Sequence, residues 1–341
     1  MDANQAEWAS WKAVATWYHG FFTGIVLSTV TRRGPDDAAR LLFAVFRRQH
    51  HEKFLSSLGK LGLDGLPDAV KAASYHYLSN RIGGVKVEFM RENDRKAWVR
   101  FPPPRWIWNG VSICAIPSQV SAAILAGWYA ENGPSLGNPR LGFVCTKMTV
   151  DGQAGLEGYF QEHDFDLTEA QRLRFAPQED APRFDPAAAP ELPAGEWPEA
   201  RLRRAYRGYA MEYVRSTLPE AIRLFGAPQV VELIGLTGRL VGMQLYEQTA
   251  AALGGFDATA AGFADFMVAL AVAQGDAAIR IGATGVRQNS IRLLAGQGTP
   301  AVLDAWSGLL EGALMAHDRH LRLEVLRRPD RGDDGHEWRI V

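Results

Sequence analysis

Residues 54–101 read FLSSLGKLGLDGLPDAVKAASYHYLSNRIGGVKVEFMRENDRKAWVRF, and their pattern returns in residues 247–294, EQTAAALGGFDATAAGFADFMVALAVAQGDAAIRIGATGVRQNSIRLL. The offset is 247 − 54 = 193 residues and shortens to 192 within the match. A second pair of stretches, LGFVCTKMTVDGQAGLEGYF from Leu141 and LRLEVLRRPDRGDDGHEWRI from Leu321, repeats at 321 − 141 = 180. The fold question therefore reduces to one module that is used twice.

The two copies predict three segments along the chain. The first α+β module covers 1–170, a Pro- and Ala-rich linker covers 171–198, and a second, degenerate α+β module covers 199–341. A chain of 341 residues is long enough for two modules that each bury a core. We expect helices packed on an antiparallel sheet in each module, with the two modules related by a pseudo-two-fold axis.

Local patterns place the elements of the first module. Leu42, Phe46, His50 and Phe54 recur every four residues and predict a helix with one buried face. The alternation in VKVEFMREND-RKAWVRF predicts a half-buried hairpin. A helix is expected over 118–132, followed by a run of helix breakers, NGPSLGNP. The acidic run at 177–198 cannot form a core and is expected to lie along the surface.

Composition excludes several classes of function. A formal net charge of −1 gives no electrostatic footprint for nucleic acid or anionic lipid. We find no secretory signal and no apolar run long enough to cross a bilayer, so a cytoplasmic protein without a membrane partner is expected. The two cysteines, Cys114 and Cys145, exclude a disulfide framework.

The comparison of the copies separates shared residues from private ones. Gly152 and Gly332 occupy equivalent hairpin turns, and shared residues of this kind predict architecture. The titratable residues private to the first copy, with their approximate counterparts in the second, are His19 (Arg207), His50 (Met243), His51 (Gln244), His76 (Val268) and Cys145 (Val325). Apolar counterparts indicate that some of these groups point toward an interior or a pocket.

These private residues suggest a chemical role for three side chains. His50 or His51 could activate water as a general base, and Cys145 is the backup nucleophile. The alternative is structural: histidines satisfied by backbone carbonyls, and a cysteine that packs as a small apolar residue. Because His50 and His51 are adjacent on a helix, they point about 100° apart and do not suit one metal ion. No metal site and no cofactor is predicted.

The loop Arg105-Trp106-Ile107-Trp108-Asn109 follows three prolines and has no comparable stretch in the second copy. Arg105 could hold a substrate carboxylate while Trp106 and Trp108 stack on a planar ring. The same tryptophans could instead bury the interface between the copies. His19, His76 and Tyr77 complete the predicted substrate-binding set.

Two stretches, VEFMREND-RKAWVRF at 87–101 and VCTKMTVDGQAGLEGYF at 144–160, resemble the L-2-amino-thiazoline-4-carboxylic acid hydrolase family and the related 4-vinyl-reductase-type binding domains. The resemblance implies an α+β module that binds a small organic molecule between helices and sheet. The chain departs from those families at Phe101-Pro102, where they tend to have Cys-Pro, and at Glu157 or Tyr159, where they have a cysteine in the last strand. These departures argue against thiolate chemistry unless Cys145 supplies it.

The sequence thus supports two main hypotheses about function. In the first, the chain is a small-molecule hydrolase that acts on a compact planar substrate of the heterocyclic amide or imine type. In the second, it is a non-catalytic binding or sensor protein of the 4-vinyl-reductase-like type. An assembly protein whose aromatic loop docks a partner is a third class, and a homodimer of the duplicated chain stays open.

Overall fold

The computed structural model describes residues 3–297 and 299–341 and has mixed α+β structure with two separate sheets. This confirms the α+β part of the predicted fold class. The chain divides into two compact units. We call Thr29–Ala205 the central unit, and the residues up to Ser28 together with Tyr206–Val341 the terminal unit.

The helices and strands of the first 205 residues are α1 (Ala3–Arg33), α2 (Pro35–Leu58), α3 (Asp68–Ile82), β1 (Glu88–Asn93), β2 (Lys96–Phe101), α4 (Ser118–Gly127), α5 (Asn132–Ser135), β3 (Leu141–Lys147), β4 (Leu156–Glu162) and β5 (Leu173–Phe175). Those that follow are α6 (Glu199–Phe225), α7 (Ala227–Ala252), α8 (Ala260–Gln274), β6 (Ala278–Ile281), β7 (Gly285–Gln288), α9 (Pro300–His317), β8 (Leu323–Arg327) and β9 (His336–Ile340).

The grouping of α1 differs from the predicted 1–170 module, because its residues up to Ser28 belong to the terminal unit. Aromatic packing gives the reason. The Trp17 ring meets Phe266 of α8 at 6.2 Å between centroids, and Phe22 meets Tyr213 of α6 at 5.0 Å. The predicted linker 171–198 lies in the central unit.

The central sheet has the order β1-β2-β4-β3-β5, antiparallel except for β5, which runs parallel to β3. The strand β5 was not predicted from the sequence. Side chains alternate across the sheet, so that Phe143 and Phe160 contact each other on one face while Trp98 and Tyr159 contact each other on the other. We call the Phe143 face inner, because Phe160 packs there against the α3 side chain His76.

The predicted surface linker covers the outer face of this sheet. Ala181 and Phe184 pack on a buried cluster that includes Trp98 and Tyr159. The Ala181 N–H donates to Glu157 Oε1 at 3.0 Å. A segment that cannot form its own core therefore provides a second layer for one face of the sheet.

The terminal sheet has the order β6-β7-β9-β8, which is the order of the first four strands of the central sheet. In the last hairpin of each unit, equivalent pairs of strand residues lie 180 residues apart, as the sequence predicted. Lys147 pairs with Glu157 and Arg327 with Glu337, each after an irregularity in the register. Common ancestry of the units and a pseudo-two-fold between them stay predictions.

The first hairpins do not follow the predicted offset of 192. Val99 lies opposite Gly158, and Val286 lies opposite Trp338. Because 338 − 158 = 180, the equivalent of Val99 is Val286, and the offset is 286 − 99 = 187. The second copy has a shorter connection between helix and hairpin, which a comparison without gaps could not detect.

The helices do follow an offset of 192 residues. Gly34 and Gly226 precede α2 and α7 with φ of 98° and 84°, values that favour glycine. The α2 residue Arg47 pairs with Glu131 at 2.8 Å, as the α7 residue Arg239 pairs with Glu311 at 3.0 Å.

Close contacts between helices show that α4 in the central unit corresponds to α9 in the terminal unit. A Cβ on Gly127 of α4 would lie 2.6 Å from the carbonyl oxygen of Phe43. Gly308 of α9 approaches the carbonyl of Gly235 in the same way, and 235 − 43 = 192. Gly127 is therefore equivalent to Gly308, with an offset of 181. With this offset, Trp128 corresponds to Leu309.

Within the part of the chain that the structure describes, no helix combines the length and the apolar character that a bilayer crossing requires.

Candidate functional site

Two histidines of the predicted set lie close together in the central unit. His50 projects from α2 and His76 from α3, and their side chains are only 1% and 3% exposed. The charge of His50 would act on the pKa of His76, which places the two imidazoles in one electrostatic neighbourhood. The sequence comparison had singled out both residues as private to the first copy.

A break in the chain after α4 brings two polar side chains to these imidazoles. The helix ends at Gly127, a 3₁₀ turn covers Tyr129–Glu131, and α5 covers Asn132–Ser135. The Ser135 Oγ lies 2.8 Å from His50 Nε2. The carboxamide Nδ2 of Asn132 donates to His76 Nε2 at 3.0 Å.

Aromatic rings surround the two imidazoles. His76 stacks on Tyr129 with centroids 4.0 Å apart and on Phe160 with centroids 5.4 Å apart. The indole of Trp128 stands edge-on to both imidazoles, at 5.8 Å from His50 and 6.2 Å from His76. We call His50, His76, Trp128, Tyr129, Asn132 and Ser135 the histidine–aromatic cluster.

Burial keeps both imidazoles neutral. Desolvation lowers the pKa of His50 to about 3, with smaller contributions from the charges of His51 and Arg47. Desolvation also lowers the pKa of His76 well below its usual value, and the hydrogen bond to Asn132 offsets only part of this effect. Because His76 is neutral and accepts at Nε2, its own proton lies on Nδ1.

Several buried polar atoms of the cluster have no hydrogen-bond partner among the described residues. They are His50 Nδ1, Asn132 Oδ1 and Trp128 Nε1, and Ser74 Oγ on α3 is in the same condition. A buried polar group without a partner costs about 1–3 kcal/mol. Such groups are uncommon in folded proteins, and the cluster has several of them beside its two imidazoles.

The terminal unit shows why this cluster is confined to the central unit. With the offset of 192, His50 is equivalent to Gly242 rather than to Met243 as the sequence alignment suggested. The backbone of α9 packs directly against Gly242, where a Cβ would lie 2.8 Å from the Ala313 nitrogen. The helix α9 also runs unbroken through Pro300–His317. Because Gly242 has no side chain, the continuous helix α9 can pack directly on α7. The terminal unit therefore has no space equivalent to that of the cluster.

His51 lies outside the cluster, although it was predicted as a second candidate base. Its side chain is 56% exposed, and its Nε2 lies 3.5 Å from Glu131 Oε1. Glu131 also pairs with Arg47. The ion pair between Arg47 and Glu131 has an equivalent in the terminal unit, between Arg239 and Glu311. His51 lies beside this shared pair, on the surface of the protein and outside the cluster.

Cys145 does not have the environment of a nucleophile. It lies on the inner face of β3, is only 2% exposed, and its Sγ approaches the carbonyl oxygen of Lys147 at 3.5 Å. Burial raises the pKa of its thiol to about 12, and the Arg105 charge offsets only a small part. The prediction of Cys145 as backup nucleophile is therefore corrected: the side chain is a small core residue.

The remaining predicted residues lie in other surroundings. The Arg105 guanidinium stacks over the Phe101 ring at 5.1 Å, Trp108 is buried and Trp106 is half-buried. Tyr77 faces β1, where it contacts Phe89 and accepts a hydrogen bond from Arg81. His19 belongs to the terminal unit.

The described residues contain no group of three or more histidine, cysteine, aspartate or glutamate side chains that could hold a metal ion. The cluster offers imidazole nitrogens but no carboxylate, since Glu131 is held by Arg47 and His51. Its chemistry is that of neutral hydrogen-bond donors and acceptors between flat rings.

Sequence reasoning missed Asn132 and Ser135 because they lie in NGPSLGNP, which was interpreted only as a run of helix breakers. The structure shows that this run forms a helical turn, and that its residue Asn132 is fully buried. A signal was present: the aligned second copy continues as a helix where the first has Asn-Gly-Pro-Ser. Trp128 and Tyr129 were likewise visible as adjacent aromatic residues.

The chain has no match among known protein families, curated proteins or solved structures.

Proposed function

We propose that the chain is a small-molecule-binding protein whose ligand occupies the histidine–aromatic cluster of the central unit. The observation that carries this proposal is the set of buried, unpartnered polar atoms on His50, Trp128 and Asn132 beside stacked aromatic rings. A ligand that satisfies them would recover about 1–3 kcal/mol for each group.

The chemistry of the cluster defines the ligand. Asn132 Oδ1 accepts, the Trp128 indole donates, and the neutral His50 can do either according to its tautomer. No charged side chain takes part in the cluster, so an ionic ligand would lack a partner there. We therefore infer an uncharged, planar molecule with both donor and acceptor atoms on its edge. Aromatic rings surround the polar atoms that such a molecule would meet.

A panel of uncharged planar heterocycles tests this proposal by thermal shift. The double variant His76→Phe/Asn132→Leu replaces both hydrogen-bonding partners by apolar side chains of similar shape. It should keep the Tm of the ligand-free protein near the wild-type value. It should also lose the shift that a binding heterocycle gives in the wild type. If binders shift both proteins equally, the cluster is not the site.

A hydrolase is the second candidate, and the contact of 2.8 Å between Ser135 Oγ and His50 Nε2 favours it. In that role Ser135 would attack a carbonyl or imine carbon while His50 accepts the hydroxyl proton. The pKa of His50 at about 3 makes it a weak base at neutral pH, which is why we rank binding above turnover.

The variant Ser135→Ala separates the two candidates once a binding heterocycle is known. A hydrolase loses turnover in this variant and keeps most of its affinity for the substrate. A binding protein forms no product either as the wild type or as the variant, and only its Kd changes. Turnover by the Ser135→Ala protein at the wild-type rate would exclude the serine mechanism.

A further inference from the structure

The two sheets differ at one edge. In the central sheet β5 pairs with β3 in parallel, whereas β8, the equivalent of β3 in the terminal sheet, pairs only with β9 among the described residues. Two backbone hydrogen bonds close the central edge. The Phe143 N–H donates to the Arg172 carbonyl at 2.8 Å, and the Ala176 N–H donates to the Cys145 carbonyl at 2.9 Å.

The corresponding backbone groups of β8 point away from its sheet. Arg322 and Val341 exchange both of their N–H···O bonds, so the peptide groups of the next residue, Leu323, face the open edge. Val325, two residues further along the strand, presents its carbonyl in the same direction. With the offset of 180, these are the equivalents of the two β3 residues that bond to the segment around β5.

The side chains of β8 are also less covered than those of β3. Phe143, Val144 and Cys145 are at most 2% exposed, whereas their equivalents in β8 are half-buried. The next residue, Leu326, is 44% exposed, although its equivalent Thr146 is buried. An edge strand with outward backbone groups and apolar side chains is a template for pairing with another extended segment.

The segment that follows β5 is acidic, and a basic side chain of β3 holds it. Lys147 Nζ lies 2.9 Å from Asp180 Oδ1 and donates to the carbonyl of Glu179 at 2.8 Å. Arg327 is the equivalent of Lys147, since 327 − 147 = 180. It pairs with Asp334 of its own hairpin at 3.1 Å and is about half exposed. The terminal edge therefore keeps a positive charge at the position that holds an acidic segment in the central unit.

Arg322 adds a positive charge that the central edge lacks. Its equivalent is Gly142, where a Cβ would lie 3.3 Å from the carbonyl oxygen of Arg172. The side chain at 322 prevents a segment from crossing there, so a bound strand would begin beside the guanidinium. Arg322 is exposed, and no carboxylate in the described part of the chain pairs with it. An acidic residue at the start of the bound strand would complement it.

Charged side chains at a sheet edge also serve to prevent uncontrolled pairing. That role accounts for Arg322 and Arg327 but not for the exposed Leu326 on the same strand. A segment that lies along β8 would cover this side chain and satisfy both charges.

We propose that β8 binds an extended acidic segment of another protein, which adds to the terminal sheet as a fifth strand parallel to β8. The segment accepts a hydrogen bond from the Leu323 N–H and donates one to the Val325 carbonyl. Its alternate apolar side chains cover the edge, and its carboxylates pair with Arg322 and Arg327. This surface belongs to the terminal unit and is independent of the histidine–aromatic cluster.

The sequence of residues 171–181, QRLRFAPQEDA, is the template for a probe. A fluorescein-labelled peptide of this sequence with Arg172→Glu presents a carboxylate to Arg322, and fluorescence polarisation should show saturable binding to the wild-type chain. The same peptide N-methylated at Ala176 keeps its charge and side chains but cannot donate to Val325. It should bind at least tenfold more weakly. No binding with the chain at several hundred micromolar, or equal binding of the two peptides, would overturn the proposal.

The variant Arg322→Glu tests where the peptide binds. Because Arg322 is exposed, the variant should keep the wild-type Tm. Its Kd for the acidic peptide should rise at least tenfold, and the peptide that retains Arg172 should become the tighter ligand. Lys86→Glu makes the same charge reversal at an exposed position of the central unit and should change neither Kd. If the two variants behave alike, the edge of β8 is not the site and the proposal fails.

Discussion

At the scale of single residues, the adjacent histidines His50 and His51 differ entirely in their surroundings. His50 is buried against Trp128 and neutral, whereas His51 is exposed beside Glu131. Apolar residues and His50 recur every four positions in α2, at Leu42, Phe46, His50 and Phe54. This spacing predicted a buried helix face that includes His50, and the prediction is confirmed. The spacing could not show which side chains contact His50, because Ser135 and Trp128 lie about eighty residues later in the chain.

The low pKa of His50 and His76 makes stability depend on pH. Below pH 6.5 the unfolded chain binds protons on these residues while the folded protein keeps both neutral. The free energy of unfolding should therefore fall as pH drops from 6.5 toward the folded pKa of His50, by about 1.4 kcal/mol per pH unit for each histidine.

Urea unfolding of His50→Gln across this range measures the effect. Its slope against pH should be shallower than the wild-type slope. Equal slopes in wild type and His50→Gln would mean that His50 titrates normally in the folded protein.

The two cysteines should differ in reactivity in the native state. Cys114 is exposed, whereas Cys145 is buried with its thiol pKa raised to about 12. Iodoacetamide at pH 8 should modify Cys114 within minutes and leave Cys145 unmodified, and urea should make both reactive. Peptide mass spectrometry reads both sites in one sample. Fast native labelling of Cys145 would restore it as a nucleophile.

At the scale of elements, the break after α4 is a structural difference between the two units. Both units cross two helices at a glycine, but only the central one then bends into a turn with buried polar residues. The hairpins and helices were predictable because their periodicity is local. The strand β5 and the shortened connection before β6 depend on pairing across the chain, and no local pattern shows them.

The tight packing of α7 on α9 predicts a mutational asymmetry. A Cβ at Gly242 would collide with the backbone of α9, so Gly242→Ala should destabilise the protein by about 1–3 kcal/mol. Gly208 of α6 has no atoms near its Cβ position. Gly208→Ala should therefore leave stability unchanged or raise it by about 0.4–1 kcal/mol. Urea midpoints compare the two, and equal midpoints would refute the close helix contact.

At the scale of the whole molecule, the chain builds the terminal unit from both of its ends. The predicted boundary at residue 199 followed from the repeat, which cannot show that α1 buries Trp17 and Phe22 in that unit. A fragment 199–341 should therefore fail to unfold cooperatively by itself. Co-expression with residues 1–33 should restore a cooperative transition. A cooperative transition of the fragment alone would favour the boundary predicted from the sequence.

The most direct measurement for the central unit is native mass spectrometry of the chain purified from a cell extract, with the variant His76→Phe/Asn132→Leu prepared in parallel. We predict that the wild type carries one small organic molecule, which is released on denaturation and is absent from the variant. A wild-type mass equal to that of the bare chain, or the same molecule on both proteins, would contradict ligand binding at the histidine–aromatic cluster.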